Sequence, residues 1–143
     1  MEIRPLTDRE SVALLTLVQG LAGHHGDQSA ATSDTLTRDL SDGWTWGFGA
    51  GDPLIGYVLM MRHARVHDGL RGVDLHHVFV TPSARRQGIA RALLTRAEED
   101  ARGKGCSYVV IGAHEGNSVA RDAYVGLGYE WRAPIFWRFF KRL

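Results

Sequence analysis

Leu75-His-His-Val-Phe-Val80-Thr-Pro-Ser-Ala-Arg85-Arg-Gln-Gly88-Ile-Ala90-Arg-Ala-Leu-Leu94 is the stretch whose reading decides the fold. Its first six residues, rich in β-formers, read as a strand stopped by Pro82, which cannot donate to a sheet ladder. Two arginines and Gly88 follow. Then Ile89, Leu93 and Ala97, flanked by Ala90, Leu94 and Ala101, recur at helical spacing. The order is strand, basic glycine-containing turn, helix. A helix start carries unpaired N–H groups and partial positive charge, so it favours an anion. Gly88 lets the backbone come close to that anion, and Arg85 and Arg86 add full charges beside it. The turn reads as a phosphate cradle feeding a helix, although a merely solvated βα turn has the same composition. Neither G-x-G-x-x-G nor G-x-x-x-x-G-K-[ST] occurs, so neither a dinucleotide fingerprint nor a P-loop is supported.

Working outward, Ile3 to Leu6 is a short apolar start of edge-strand character. Thr7-Asp-Arg-Glu10 fits a capping box ahead of an amphipathic helix that carries Val12, Leu15, Val18 and Leu21 and ends around residues 23–26. Residues 34–41 form a second short helix. Trp44 to Ala50 and Leu54 to Arg62 are strands joined by Gly51-Asp-Pro53, with Trp44, Trp46, Phe48 and Tyr57 as core residues. Residues 73–80 are the next strand and 89–102 the central helix. The continuous apolar run Tyr108 to Ile111 suggests a strand buried on both faces. A helix over 117–127 and two last strands, 129–132 and 135–141, complete the order βααβββαβαββ. This is a mixed α/β (α+β) domain whose sheet of about seven strands, mostly antiparallel, is flanked by about four helices.

A length of 143 residues fits one domain over 1–143. With 44% hydrophobic and 23% charged residues the chain is globular, and a formal net charge of +1 gives no reason to expect nucleic acid. The single Cys106 excludes an internal disulfide framework and a cysteine zinc cluster. Without a basic start followed by an apolar run, or about 20 consecutive apolar residues, no membrane association is expected and the expected compartment is the cytoplasm.

A second motif lies at Asn117-Ser-Val-Ala120-Arg-Asp-Ala-Tyr124-Val-Gly-Leu-Gly128-Tyr129. Ala120 and Tyr124 are i and i+4 on one helix face, and Asn117 sits one turn earlier where an N-cap is favoured. A small Ala120 makes room for a ligand while the phenol projects from the same side. An ordinary cap and a core aromatic would have the same spacing. Together the two motifs carry a resemblance. Arg85-x-x-Gly88-x-Ala90 is similar to the R/Q-x-x-G-x-G/A pyrophosphate loop of the GNAT family of N-acetyltransferases. The second segment matches that family's N-x-x-A-x-x-x-Y-x-x-x-G-Y/F pattern at each named position. The order of elements also resembles that of the family. Within it the chain looks closest to the diamine (spermidine/spermine-type) branch, through Leu75 to Val80 and the closing Phe136-Trp-Arg-Phe-Phe-Lys141. It departs at that branch's acidic pair, which here is His76-His77.

The resemblance implies direct transfer of an acetyl group from acetyl-CoA to an amine. Val78, Phe79 and Val80 would pair with the pantetheine arm and offer a backbone N–H to the developing oxyanion. Arg85, Arg86, Gln87, Gly88, Ile89 and Ala90 would hold the pyrophosphate, and Asn117 would touch the pantetheine. Tyr124 would protonate the departing thiolate. His76 would be the general base, directly or through water, since an imidazole of pKa about 6.5 suits that task at neutral pH. His76 and His77 alternate along a strand, so only one should face the site. His24, His25, Asp27 and His77 are acceptor-site candidates, although histidines also suit a helix C-terminus. No metal is expected, because the two histidine pairs lack a carboxylate or cysteine at ligand spacing. Loss of the acidic pair favours a small monoamine, amino acid or aminated metabolite over a long polyamine. A protein lysine or N-terminal acceptor, or a non-catalytic acetyl-CoA sensor, are the alternatives. The aromatic-rich end implies a homodimer through the terminal strands.

Overall fold

The two longest strands form one hairpin, and the sheet grows outward from it. In the computed structural model, which describes residues 2–143, β3 (Gly56–Arg65) and β4 (Leu70–Val80) pair antiparallel along nearly their whole length. β2 (Trp46–Ala50) and then β1 (Ile3–Pro5) extend the sheet on one side, both antiparallel. β5 (Tyr108–Ile111) joins β4 on the other side in parallel, giving the order β1-β2-β3-β4-β5. The helices are α1 (Ser11–His24), α2 (Ser33–Ser41), α3 (Ile89–Gly103) and α4 (Ser118–Gly126). One compact unit runs to Gly112 and a second spans Ala113–Leu143.

In the first unit, alternation along β3 sends side chains to opposite faces. Tyr57 and Leu59 join Leu14, Leu17 and Val18 of α1 and Leu36 of α2 in one cluster, to which β4 adds Phe79. Val58 and Met60 point the other way, and α3 packs against β2, β3 and β4 through buried Ile89, Leu93, Leu94, Ala97 and Ala101. Polar contacts tie α3 down further. Asp100 accepts from the Trp46 indole at 2.9 Å and pairs with Lys104 at 2.7 Å, while Arg96 lies over the Phe48 ring. Close approach of β2 to β3 demands glycine at one point: a Cβ on Gly47 would run into the Val58 carbonyl oxygen.

Several expectations need correction. Five strands form among the described residues rather than seven, so the order βααβββαβαββ is not matched. Residues 129–132 and 135–141 adopt no strand, and Ile135, Phe136, Trp137, Phe139 and Phe140 are all exposed. Their apolar pattern has no strand to pair with inside the second unit. β5 is an edge strand with Val110 exposed, not one covered on both faces. Trp44 precedes β2 and is exposed. The capping box at Thr7 does not form, because the Glu10 carboxylate is taken by Arg4 and residues 8–10 make a 3-10 turn. A capping box forms instead at α2, where the Thr32 hydroxyl accepts from the Thr35 backbone and the Thr35 hydroxyl accepts from the Thr32 N–H.

Two glycines should respond in opposite directions. Gly47→Ala should lower the unfolding free energy by about 3 kcal/mol, since backbone cannot yield as a side chain can. Gly23→Ala, in α1 with open space around it, should raise the free energy by about 0.5 kcal/mol through the unfolded chain's lost freedom. Urea unfolding followed by circular dichroism reads both.

Candidate active site

The turn after β4 is built to expose backbone. Thr81 N–H donates to the Ile55 carbonyl at 2.8 Å, Pro82–Ala84 forms a short 3-10 turn, and buried Ala84 and Ile89 pin the two ends. Between them Arg85 to Gly88 are exposed. Arg86 adopts φ 65° and Gly88 φ 77°, two left-handed residues around Gln87. For a non-glycine residue that conformation is sparsely populated and marks a turn held by its surroundings. Gly88 is the N-cap of α3 with no side-chain cap, and the first bond across the junction runs from Ala92 N–H to the Gly88 carbonyl. The N–H groups of Ile89, Ala90 and Arg91 are therefore those that helix geometry leaves without intrahelical acceptors. A Cβ at Gly88 would meet nothing within 4 Å, so the space above the turn is open. Alternating handedness and a helix start together make an anion-binding concavity, which fits a diphosphate. Arg85 is anchored rather than free: its Nε donates to the Val80 carbonyl at 3.0 Å and its guanidinium lies over the Phe79 ring.

β4 also presents an open edge. β5 pairs with it only from Gly72 to Leu75, so Val78, Phe79 and Val80 have β3 on one side and no strand on the other among the described residues. That edge offers backbone donors and acceptors to an extended ligand.

At the histidine pair the ladder breaks. Leu59 pairs with His77 and Met60 with Leu75, which leaves His76 as the extra residue of a β-bulge. The bulge reverses the phase of alternation, so Asp74, His77 and Phe79 all lie opposite Met61, Leu59 and Tyr57 on the α1 face. The expectation that one histidine faces away is thereby overturned: the two rings stack 4.8 Å apart and only 9° from parallel. An Asp74 carboxylate oxygen lies 3.7 Å from His76 Nδ1, and Asp74 raises the His76 pKa despite partial burial. His77 goes the other way, down to about 4, through burial first and then the charges of His76 and His25. Its Nδ1 lies 3.4 Å from the Tyr57 hydroxyl.

α1 brings the other pair toward this point. Gly26 takes φ 75° and Asp27 N–H returns to the Ala22 carbonyl at 2.8 Å, a Schellman closure that ends the helix at His24 and His25. His25 is half-buried and close enough to His77 for its charge to be felt, whereas His24 and Asp27 remain exposed. Among the described residues no three His, Cys, Asp or Glu are grouped to hold a metal ion.

In the second unit Asn117 caps α4, its side chain accepting from Ala120 N–H at 3.1 Å. Asn117, Ala120 and Tyr124 form one half-buried face. Tyr129 N–H donates to the Tyr124 carbonyl, the two rings meet edge to face, and burial raises the Tyr124 pKa. Two residues that the sequence reading left out of the site belong to its surroundings, Asp74 and Tyr57. Asp74 was findable as an acid close to His76 on the same strand. Tyr57 was not, because its place beside His77 depends on the bulge.

This strand, turn and helix lie within residues 20–129, which match the model of the Acetyltransferase (GNAT) family, and the chain belongs to that family. It is 28% identical over 139 residues to N-acetyltransferase 8F1 of Rattus norvegicus, covering 91% of this chain and 62% of the relative's length. Solved structures share the fold. One, a "probable acetyltransferase", superposes with a TM-score of 0.84 at 22% identity over 100% of this chain and 99% of that one. An aminoglycoside N-acetyltransferase in complex with CoA superposes with a TM-score of 0.80 at 20% identity, over 99% and 95%.

The depressed His77 pKa has a consequence for stability. In the unfolded chain a histidine titrates at about 6.5, so below that pH the unfolded state binds the proton more readily. His77 therefore withdraws stability as pH falls from 6.5 toward 4, while His76, raised by Asp74, acts with the opposite sign. His77→Gln should flatten the decline in urea midpoint between pH 7 and pH 4.5. An unchanged decline would show that His77 is not held neutral.

Proposed function

We propose that the chain, acting as one domain over 1–143, is an acetyl-CoA-dependent N-acetyltransferase that acetylates an amine of a small molecule. The observation that carries this reading is the exposed turn with Arg86 and Gly88 left-handed, opening onto the start of α3, which has no side-chain cap, beside a strand edge that no described strand pairs. Acetyl-CoA, when bound, supplies an activated acetyl thioester. Arg85 to Ala90 hold its diphosphate, Arg86 through charge and Gly88 to Ala90 through backbone. Arg85 braces the turn against Val80. Residues 78–80 align the pantetheine arm, and a backbone N–H there stabilises negative charge on the reacting carbonyl. The family resemblance gives Asn117 a contact with the pantetheine. His76, oriented by Asp74, removes the proton from the acceptor ammonium, and Tyr124 supplies a proton to the leaving sulfur. Burial keeps the Tyr124 phenol protonated, as an acid must be.

The acceptor is a small amine placed against His24, His25, Asp27, His76 and His77. Support comes from the CoA-bound structural neighbour, which acetylates aminoglycosides by its name. The diamine-branch likeness extends to the strand and loop pattern but not to the acceptor, because neutral His77 offers no attraction to a second ammonium. A cytoplasmic location and a homodimer complete the proposal. The latter is supported by the exposed Trp131, Phe136, Trp137, Phe139 and Phe140, which a second copy would cover.

Thiol release from acetyl-CoA, followed over a panel of amines, tests the reading, and calorimetric binding of acetyl-CoA without thiol release would leave a sensor instead. Tyr124→Phe should lower kcat about 100-fold with the KM for acetyl-CoA nearly unchanged. Arg86→Ala should instead raise that KM with little effect on kcat.

A further inference from the structure

Tyr57 is the largest fully buried side chain of the fold, and periodicity alone makes it a core residue. Its hydroxyl nevertheless reaches His77 Nδ1 at 3.4 Å, and the direction of that contact can be worked out. Burial holds the phenol protonated, its pKa raised well above the ordinary value, and burial holds the His77 ring neutral. A neutral imidazole has one N–H and one bare nitrogen. If Nδ1 carried the proton, it would donate to the Tyr57 oxygen, and the Tyr57 O–H hydrogen would turn away into fully buried surroundings where no other partner for it is found among the described residues, which is costly. The favoured arrangement has Tyr57 donating to a bare Nδ1. The His77 proton then sits on Nε2, on the ring edge that points away from Tyr57.

The ring has little freedom to present anything else. His76 stacks on one face, and Tyr57 lies 6.5 Å away at a tilt of 50°, itself braced by Phe79 at 6.4 Å. Phe79 is in turn pressed by α1, where a Cβ on Gly20 would stand 3.2 Å from its ring. The geometry points to a specificity-determining role: Tyr57 is a positioning residue that fixes His77 as an Nε2–H donor, selecting acceptor amines that carry an oxygen lone pair beside the amino group. The inference rests on the reading that the acceptor lies against the two histidines. A hydroxyl, ether or carbonyl oxygen next to the amine accepts from Nε2–H. A second ammonium in that place meets a donor with donors and is rejected.

Two measurements separate this inference from the acetyltransferase reading. Long-range proton–nitrogen NMR on the histidine-labelled protein at pH 7 should give His77 as the Nε2–H tautomer, and Tyr57→Phe should turn it into a mixture. Turnover should be compared for 2-methoxyethylamine and butylamine, which have the same chain length with and without an ether oxygen. The ratio of their kcat/KM should favour the ether about tenfold, the worth of one neutral hydrogen bond. His77→Gln, whose amide nitrogen falls near the place of Nε2, should keep most of that ratio. His77→Asn, whose nitrogen falls near Nδ1, and Tyr57→Phe should each reduce it toward unity, mainly through the KM of the ether. An Nδ1–H ring or an imidazolium overturns the inference, as does a ratio that His77→Asn leaves intact. The tautomer needs no turnover, so an Nε2–H ring in a protein that acetylates no amine counts against the acetyltransferase reading alone.

Discussion

One extra residue in β4 governs the arrangement of everything around it. At His76 the ladder to β3 slips, and the residues before and after it exchange faces. Without the slip, Asp74, His76 and Val78 would share a face and His77 would lie on the other, among the residues packed by α3. With it, Asp74, His77 and Phe79 line the α1 side, and the bulged His76 is laid flat against His77. A regular strand offers side chains at fixed intervals on alternate faces, whereas a bulge brings neighbours together. Here it yields two imidazoles of opposite character in contact. One is charged more readily because of Asp74, and the other is kept neutral by burial.

The same strand end ties the histidines to the anion-binding turn. Phe79 touches Tyr57 on one side and lies under the Arg85 guanidinium, while the Arg85 Nε holds the Val80 carbonyl. Thr81 is fastened across to Ile55. The turn is therefore an extension of β3 and β4 rather than a loose loop, and the left-handed Arg86 can persist because both flanks are fixed. Loops that recognise ligands work best when a rigid scaffold sets their position.

How much of this the sequence disclosed depends on whether a feature is local. The strand, turn and helix around Gly88 were legible, since a proline stop, a glycine and a helical period are properties of adjacent residues. So was the Asn117 cap, which needs only its own next turn. Features that depend on a distant partner were not legible. Thr7 and Glu10 have capping-box spacing, yet Arg4 claims the carboxylate. Tyr108 to Ile111 reads as a strand, but its burial depends on what lies beyond it in the sheet. The bulge is hidden for the same reason: it is a mismatch of register between two strands. Hence both histidines were singled out, and their relation to one another was misjudged.

The edge of β4 beyond Leu75 has a second meaning. Unpaired strand edges are places where other chains add on, and folded proteins ordinarily shield them with charge, proline or a covering element. Residues 76–80 sit between two such devices, with His76 bulged at one end and Pro82 just past the other, but the middle is apolar and no described strand pairs with its outer edge. An extended ligand lying along it would act as the missing neighbour and close the sheet. Occupancy would then satisfy the backbone donors and acceptors that the described strands leave unpaired along this edge.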